Sequence, residues 1–150
     1  MISVCIATYN GARYIAEQLA SILNQLSAED EVVVSDDGST DGTIDIVRSL
    51  NDRRIRIVDG PRRHSPTLNF EWALRNAKGK YIFLADQDDV WIEDKVRRCV
   101  EELQMCDCVV SDARVTDSLL NTTSESLFQL MHVRRGRLSN ILWRNGYTGC

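Results

Sequence analysis

The chain has 150 residues, 43% of them hydrophobic, which is enough for one ordinary domain with a buried core. Its 18 Lys and Arg against 22 Asp and Glu give a formal net charge of −4. It therefore lacks the positive excess that binds phosphate backbones, and no nucleic-acid partner is expected. Charges interrupt every apolar stretch before it reaches the roughly 18 residues of a membrane span. Without a signal-peptide pattern either, a cytoplasmic location is expected.

Five short apolar runs, rich in β-branched or aromatic residues, predict β-strands. In chain order they cover residues 2–7, 31–35, 55–58, 81–85 and 108–110. Helical patterns lie between them, and this alternation is typical of βαβ units. The sequence therefore predicts an α/β fold with a mainly parallel sheet.

Four stretches have the spacing of amphipathic helices. They cover residues 15–26, 44–50, 68–77 and 92–103. Asp41 is a candidate N-cap of the second helix, and Gly79 follows the end of the third.

The connections are short enough for residues 1–150 to form a single domain whose core of βα units ends near residue 112. Residues 117–126 are polar and turn-like, and residues 138–143 predict a short helix. The chain stops shortly after that apolar helix. We therefore expect residues 113–150 to be the incomplete start of an acceptor-binding region, and the chain to be a fragment.

The cysteines are odd in number and lack the second ligand pair of a zinc site. They are expected to be reduced and mostly buried. They are Cys5, Cys99, Cys106, Cys108 and Cys150. An arginine cluster at 134–137 is interpreted as a solvated face, with contact to anionic lipid as the alternative.

Three predicted strands end in polar segments, which cover residues 7–11, 36–43 and 86–89. In an open parallel sheet, ligands bind at the carboxyl ends of the strands. The three segments are therefore expected to gather along one edge of the sheet and to form the binding site.

The segment 86–89 places three carboxylates in four residues, and their mutual repulsion makes it costly to ionise all of them. A divalent cation such as Mn²⁺ or Mg²⁺ would relieve that cost, with one or two carboxylates and a substrate diphosphate as oxygen ligands. A solvated acidic turn leading to Trp91 is the alternative interpretation.

Asp37 and Tyr9 are candidates for contact with a nucleobase. The Asp37 carboxylate could accept the imide N–H of uracil or thymine, and the Tyr9 ring could stack on the base. A structural turn at Gly38 and a core tyrosine are the alternatives. The presence of three polar strand ends in one sheet favours the nucleobase interpretation.

Three segments resemble the motifs of family 2 glycosyltransferases of the GT-A fold, in order and in spacing. They are residues 4–11, 34–43 and 77–91. The Asn69-Phe70 pair and residues 148–150 are most similar to the branch that includes bacterial rhamnosyltransferases of polysaccharide assembly. The resemblance covers essentially all 150 residues and implies a Rossmann-like, mainly parallel sheet flanked by helices and truncated at the C-terminus.

The resemblance also implies a binding site and a reaction. Asp88 and Asp86 would hold the metal, with Asp88 the more direct ligand. The sugar would pass, with inversion, from a UDP- or dTDP-sugar to a saccharide or lipid-linked oligosaccharide acceptor at the inner membrane face, in cell-surface polysaccharide biosynthesis. The general base is expected beyond Cys150 and is not assigned to Asp112. The implied nucleotide-sugar-binding residues are Ala7, Thr8, Tyr9, Asn10, Asp37, Asn69, Asp86 and Gln87.

Other functions fit parts of this pattern. Residues 86–90 match the D-x-D-x-[TV] pattern of haloacid-dehalogenase-like phosphatases, with Asp86 as nucleophile and Asp88 as acid/base. Those enzymes usually carry the motif on their first strand and need a later lysine, whereas the last lysine here is Lys95. A nucleotidyltransferase is disfavoured because the segment 7–12 has no lysine. A non-catalytic nucleotide-sugar-binding module is the third alternative.

Overall fold

The computed structural model describes residues 1–117 and 119–132. The chain divides into two compact units, Met1–Met105 and Cys106–Cys150. The helix predicted at 138–143, the arginine cluster at 134–137 and Cys150 lie outside the described residues.

The first unit is built on a parallel sheet with the strand order β3-β2-β1-β4. All four strands lie within one residue of their predicted bounds. They are β1 (Ile2–Thr8), β2 (Glu31–Asp36), β3 (Ile55–Asp59) and β4 (Tyr81–Ala85). The predicted mainly parallel sheet is confirmed, and the carboxyl ends of all four strands lie at one edge.

Four helices connect or follow these strands, as predicted. They are α1 (Ile15–Leu23), α2 (Thr43–Ser49), α3 (Pro66–Asn76) and α4 (Lys95–Glu102).

The core lies on both faces of the sheet because neighbouring residues of a strand point to opposite faces. Val4 and Val34 pack in one cluster with Ile15, Leu19 and Ile22 of α1, all of them fully buried. This confirms the predicted apolar face of α1. Cys5 and Val33 point to the other face and pack with Ala73 of α3. At about 1.5–3 kcal/mol for each large side chain, this burial is the main stabilisation of the sheet.

Three helix predictions need correction. Helix α4 begins at Lys95, because Asp94 has a left-handed backbone with φ 66°, and Ile92 before it is 61% exposed. Helix α2 is preceded by Gly42, with φ 89°, as its N-cap. Asp41 instead accepts hydrogen bonds from the backbone N–H and the hydroxyl of Thr43.

Helix α3 buries only part of the face that its apolar residues predict. Ala73 is buried as expected, but Leu68 and Trp72 are each 43% exposed, and the polar Asn69 is buried against the sheet instead. The helix begins after Ser65, whose hydroxyl accepts a hydrogen bond from the Leu68 N–H. A small residue and an amide thus allow α3 to approach the strands closely.

The second unit contains a short antiparallel pair, β5 (Val115–Thr116) and β6 (Thr122–Ser124), and one helical turn, α5 (Leu127–Leu130). The fifth strand predicted at 108–110 is absent, because these residues pair with no other strand. Cys106 and Cys108 are exposed, contrary to prediction, while Cys5 is buried as expected. Within residues 1–117 and 119–132, no helix is both long and apolar enough to cross a membrane.

Candidate functional site

The polar ends of β1, β2 and β4 open into one cavity of about 360 Å³. Parallel register explains this, because Thr8 pairs with Asp36 across β1 and β2, and Ile6 pairs with Ala85 across β1 and β4. The cavity is lined by all but one of the predicted site residues. They are Ala7, Thr8, Tyr9, Asp37, Asn69, Asp86, Gln87 and Asp88.

The sequence interpretation missed one wall of this cavity, which is formed by His64, Ser65, Pro66 and Phe70. These residues come from the loop after β3 and from the start of α3. The signal that could have found them is the Pro-Arg-Arg-His-Ser-Pro segment at 61–66. Its two prolines bracket a loop at the carboxyl end of a strand, where ligands bind.

Asp37 ties this loop to the sheet. The carboxylate is buried, with 1% of the residue exposed, and its two oxygens accept the backbone N–H groups of Arg63 (3.0 Å) and Ser65 (3.1 Å). The Asp37 N–H donates to the Thr8 carbonyl at 2.9 Å. Each carboxylate oxygen keeps a further lone pair, so Asp37 can hold the loop and still accept a donor from a ligand.

Tyr9 lies at the rim of the cavity and is 42% exposed, so it is not a core tyrosine. Its ring meets the His64 ring edge to face, with the centroids 4.6 Å apart and the planes at 65°. A planar ligand stacked on Tyr9 would therefore lie beside His64.

Gln87 joins the loop after β4 to the loop after β1. Its side-chain oxygen accepts the Tyr9 N–H at 3.0 Å, and its side-chain nitrogen donates to the Tyr9 carbonyl at 3.2 Å. The close approach requires glycine at position 11, because a Cβ there would lie 2.3 Å from the Gln87 Oε1 atom. Both polar atoms of the Gln87 amide therefore bond to protein.

Asn69 is also engaged within the protein. Its amide nitrogen donates to the carbonyls of Thr8 (3.2 Å) and Ser35 (3.0 Å), and its oxygen accepts the Ser35 hydroxyl. Asn69 thus shapes the wall of the cavity by joining α3 to the ends of β1 and β2.

Asn10 is the predicted site residue that does not line the cavity. Its side-chain oxygen accepts the Thr40 N–H at 2.9 Å, and its own N–H donates to the Ser39 hydroxyl. With φ 50°, Asn10 has a left-handed backbone that turns the chain away after Tyr9. It therefore braces the two loops.

The acidic residues carry the strongest electrostatic perturbation of the cavity. Burial, with the nearby charges of Asp89 and Asp88, raises the pKa of Asp86 to about 6. Burial also raises the pKa of Asp89, with Asp88 adding to the effect and Lys95 opposing it. A cation beside Asp86 and Asp88 would offset this repulsion.

In the described part of the chain, no three His, Cys, Asp or Glu side chains converge so as to hold a metal ion on their own. A cation at Asp86 and Asp88 would therefore need other oxygen ligands. Diphosphate and water supply such oxygens, and Mg²⁺ is commonly bound in this way through one or two carboxylates. The residues present fit a cation that is shared with a phosphorylated ligand.

Asp112 lies in the second unit and contacts the first turn of α5, whose N-cap is Ser126. Its carboxylate accepts the Ser126 hydroxyl and the N–H groups of Ala113 and Phe128. The Ser126 hydrogen bond, with help from these backbone donors, lowers the pKa of Asp112. Such a carboxylate is a poor general base.

Comparison with known proteins identifies the family. The model named glycosyl transferase family 2 matches residues 3–147. TuaG of Bacillus subtilis, a protein named for a role in teichuronic acid biosynthesis, is 29% identical over all of this chain and 60% of its own length. The Escherichia coli WfaP protein, named as a UDP-Glc:α-D-GlcNAc-diphosphoundecaprenol β-1,3-glucosyltransferase, is 34% identical over 64% of this chain and 38% of its own.

Solved structures agree with the family match. The mannosyltransferase PcManGT of Pyrobaculum calidifontis, solved with GDP-Man and Mn²⁺, has a TM-score of 0.63 and 32% identity over 77% of this chain and 35% of its own. The S. aureus TarS fragment 1–349 has a TM-score of 0.63 and 26% identity over 81% of this chain and 43% of its own. The predicted GT-A fold is confirmed. The chain spans 60% of the length of TuaG and smaller shares of these other relatives.

The comparisons do not support the phosphatase alternative. The match to the glycosyltransferase family covers residues 3–147, which include Asp86 and Asp88 in the loop after β4.

Proposed function

We propose that this chain, which belongs to glycosyl transferase family 2, binds the donor in an enzyme that transfers a sugar from a UDP- or dTDP-sugar to a saccharide hydroxyl, with inversion and with a divalent cation. The observation that carries the proposal is one cavity with a buried carboxylate at one wall, an exposed aromatic ring at its rim and an acidic pair at another wall.

The base would lie between Asp37 and Tyr9. The carboxylate of Asp37 matches the imide N–H of uracil or thymine, and the ring of Tyr9, which is 42% exposed, offers a surface for stacking beside His64. Backbone N–H groups hold both oxygens of the Asp37 carboxylate. The carboxylate is therefore already oriented to accept the hydrogen bond of the nucleobase before the nucleotide binds.

The diphosphate would lie toward Asp86 and Asp88. Two anionic groups, the acidic loop and the diphosphate, can be brought together only if a cation neutralises part of their charge. We propose Asp88 as the more direct ligand because it is exposed at the cavity, and Asp86 as the second. The Mn²⁺ in the GDP-Man complex of PcManGT supports the proposal of a divalent cation, and the choice of Asp88 and Asp86 rests on their place in the cavity.

In the proposed reaction, the acceptor oxygen forms a bond to the anomeric carbon on the face opposite the diphosphate. The bond from that carbon to the diphosphate oxygen breaks, and the leaving group takes the electron pair. Asp88 and Asp86 would hold a divalent cation, which would stabilise the charge that develops on the diphosphate. The residues of this chain orient the nucleobase and the diphosphate of the donor. The catalytic general base, which takes the proton of the acceptor hydroxyl, is proposed to lie beyond residue 150.

The acceptor is proposed to be a lipid-linked saccharide of cell-surface polysaccharide assembly, at the inner face of the membrane. Support comes from the relatives, since the WfaP name specifies a diphosphoundecaprenol-linked acceptor and the TuaG name specifies teichuronic acid biosynthesis. The second candidate function is binding of the donor without sugar transfer. For the 150 residues alone it is favoured by the comparison of lengths, because this chain spans only 60% of TuaG and 38% of WfaP.

The test is calorimetric titration of UDP, dTDP and GDP into the protein, with and without Mn²⁺. We expect UDP or dTDP to bind more tightly with Mn²⁺, and Asp88→Asn to abolish the effect of the metal. Asp45→Asn is the matched control, because Asp45 has an 85% exposed side chain on α2 outside the cavity. Tighter binding of GDP would overturn the assignment of the base, and the absence of binding by all three nucleotides would overturn the proposal. Donor binding without sugar transfer would select the second candidate.

A further inference from the structure

Three polar side chains interrupt the buried face of α1 and of the turn that follows it. They are Gln18, Ser21 and Gln25, spaced at i, i+3 and i+7, and we call them the polar stripe. Gln18 has no exposed surface, although it lies in the apolar core between Ile15 and Ile22. Burying an amide is costly unless it is hydrogen bonded, so the stripe needs partners in the protein.

All three side chains bond to the backbone of one segment. Gln18 Nε2 donates to the Asp86 carbonyl at 3.0 Å, and the Ser21 hydroxyl accepts the Trp91 N–H at 3.0 Å. Gln25 Nε2 donates to the Ile92 carbonyl and Gln25 Oε1 accepts the Val96 N–H, both at 3.1 Å. The stripe therefore holds four backbone groups between residues 86 and 96.

These contacts give hydrogen-bond partners to backbone groups that have none within a helix or sheet. Residues 86–94, which we call the acidic loop, lie between β4 and α4 and have no ladder of backbone hydrogen bonds. Val96 is at the second position of α4, where an N–H has no acceptor within the helix. The backbone groups of such a segment need other partners, and the stripe provides four of them from α1 and the turn that follows it.

We propose that the polar stripe sets the conformation in which the acidic loop receives the cation and diphosphate, with Gln18 as the positioning residue for Asp86. Gln18 holds the Asp86 carbonyl, and Asp86 lines the cavity, so we expect a change at Gln18 to shift the Asp86 side chain. This inference rests on the proposed function. Groups that orient metal ligands affect metal affinity by about 10- to 100-fold in other proteins.

The test is Gln18→Met, which removes the amide and keeps an unbranched chain of similar length. Calorimetric titration of UDP with and without Mn²⁺ is combined with thermal unfolding. We expect affinity in the presence of Mn²⁺ to fall about tenfold, while affinity without the metal stays within about twofold, because Asp37 and Tyr9 do not contact Gln18. This difference is a readout that a general loss of stability would not produce.

Two matched variants make the comparison sharp. Gln104→Met makes the same change at an exposed glutamine, which bonds to the Tyr81 hydroxyl and the Val100 carbonyl and not to the acidic loop. Val47→Ala removes buried core volume on α2 and lowers stability, and it leaves every hydrogen bond of the stripe in place. Both should keep the wild-type response to Mn²⁺.

Selective loss of the Mn²⁺ response in Gln18→Met supports the inference. An unchanged response, or an equal loss in Val47→Ala, overturns it and leaves the proposed function standing. Absence of a Mn²⁺ response in the wild type overturns both. Should Gln18→Met fail to fold, Ser21→Ala gives the same readout by removing the acceptor of the Trp91 N–H, and the same outcomes decide.

Discussion

The Gln87 side chain and the Tyr9 backbone form two hydrogen bonds, at 3.0 and 3.2 Å, across 78 positions of sequence. The backbone hydrogen bonds between β1 and β4 end at Ile6 and Ala85. Beyond that point, the side-chain amide of Gln87 bonds to the Tyr9 backbone as a neighbouring strand would. The amide therefore positions the tyrosine of the cavity rim, and both of its polar atoms are occupied by that role.

We predict that Gln87→Met weakens UDP binding about three- to tenfold with and without Mn²⁺, because the two hydrogen bonds that fix the Tyr9 backbone are lost; this range corresponds to a net effect of one hydrogen bond, about 0.5–1.5 kcal/mol. Titration calorimetry measures this. A loss confined to the Mn²⁺ condition would show that Gln87 acts through the metal and would contradict the prediction.

Gly11→Ala provides an independent test of the same contact. A Cβ at position 11 would lie 2.3 Å from Gln87 Oε1, so the amide must leave Tyr9. We expect Gly11→Ala to reduce UDP affinity to a similar degree, and the double variant Gly11→Ala/Gln87→Met to be no weaker than the single ones. Additive losses of affinity would indicate that the two residues act separately.

We predict that Asn69→Ala lowers the free energy of unfolding by about 2–4 kcal/mol, because it removes two hydrogen bonds to the buried carbonyls of Thr8 and Ser35 and leaves the buried Ser35 hydroxyl without its acceptor. Urea unfolding measures it. Asn24→Ala, at an exposed position after α1, is the control and should change stability by less than about 0.5 kcal/mol. Weakened UDP binding with unchanged stability would instead make Asn69 a direct ligand.

We predict that the free energy of unfolding depends on pH through Glu31. Burial alone would raise its pKa, but hydrogen bonds from the Ser3 hydroxyl, the Lys78 N–H and the Arg56 guanidinium outweigh burial and lower it below 4.5. The folded state thus releases this proton more readily than the unfolded state. The stabilisation is present above about pH 4.5 and is lost as the pH falls through the lower, folded pKa.

Glu31→Gln should therefore reduce stability at pH 7 and show a shallower decline between about pH 5 and 3 than the wild type. Asp30 and Asp52 also have lowered pKa values, so the wild-type slope contains their contributions and the difference between the curves isolates Glu31. Urea unfolding across this range, with the exposed Glu29→Gln as control, gives both curves. Parallel curves would refute this role of Glu31.

We predict that Asp86→Asn raises the free energy of unfolding at pH 7 by about 1–2 kcal/mol, because it removes a partly buried charge beside Asp88 and Asp89. The same change should reduce the stabilisation that UDP with Mn²⁺ confers on the wild type. Thermal and urea unfolding with and without these ligands measure both effects. A variant less stable than the wild type without ligand would be inconsistent with a site that is strained by repulsion.

The sequence by itself determined the four parallel strands and the edge at which their polar ends meet. The length of the apolar runs, their content of β-branched residues and their alternation with helices all predict buried strands. Formation of the sheet depends on this burial more than on any single side-chain contact. The positions of Asp37, Asp86 and Asp88 were predictable because each follows a strand by one to three residues. A residue so close to the end of a strand must lie at the edge of the sheet.

Only the tertiary structure decided which polar groups are left for a ligand. The amides of Gln87 and Asn69 bond to backbone that lies 78 and 61 positions away, and no local pattern encodes such partners. The same holds for Gln18, whose acceptor is 68 positions distant. The absent strand at 108–110 and the buried face of α3 have the same cause, because an apolar run becomes a strand, or a helix face becomes buried, only where another element packs against it.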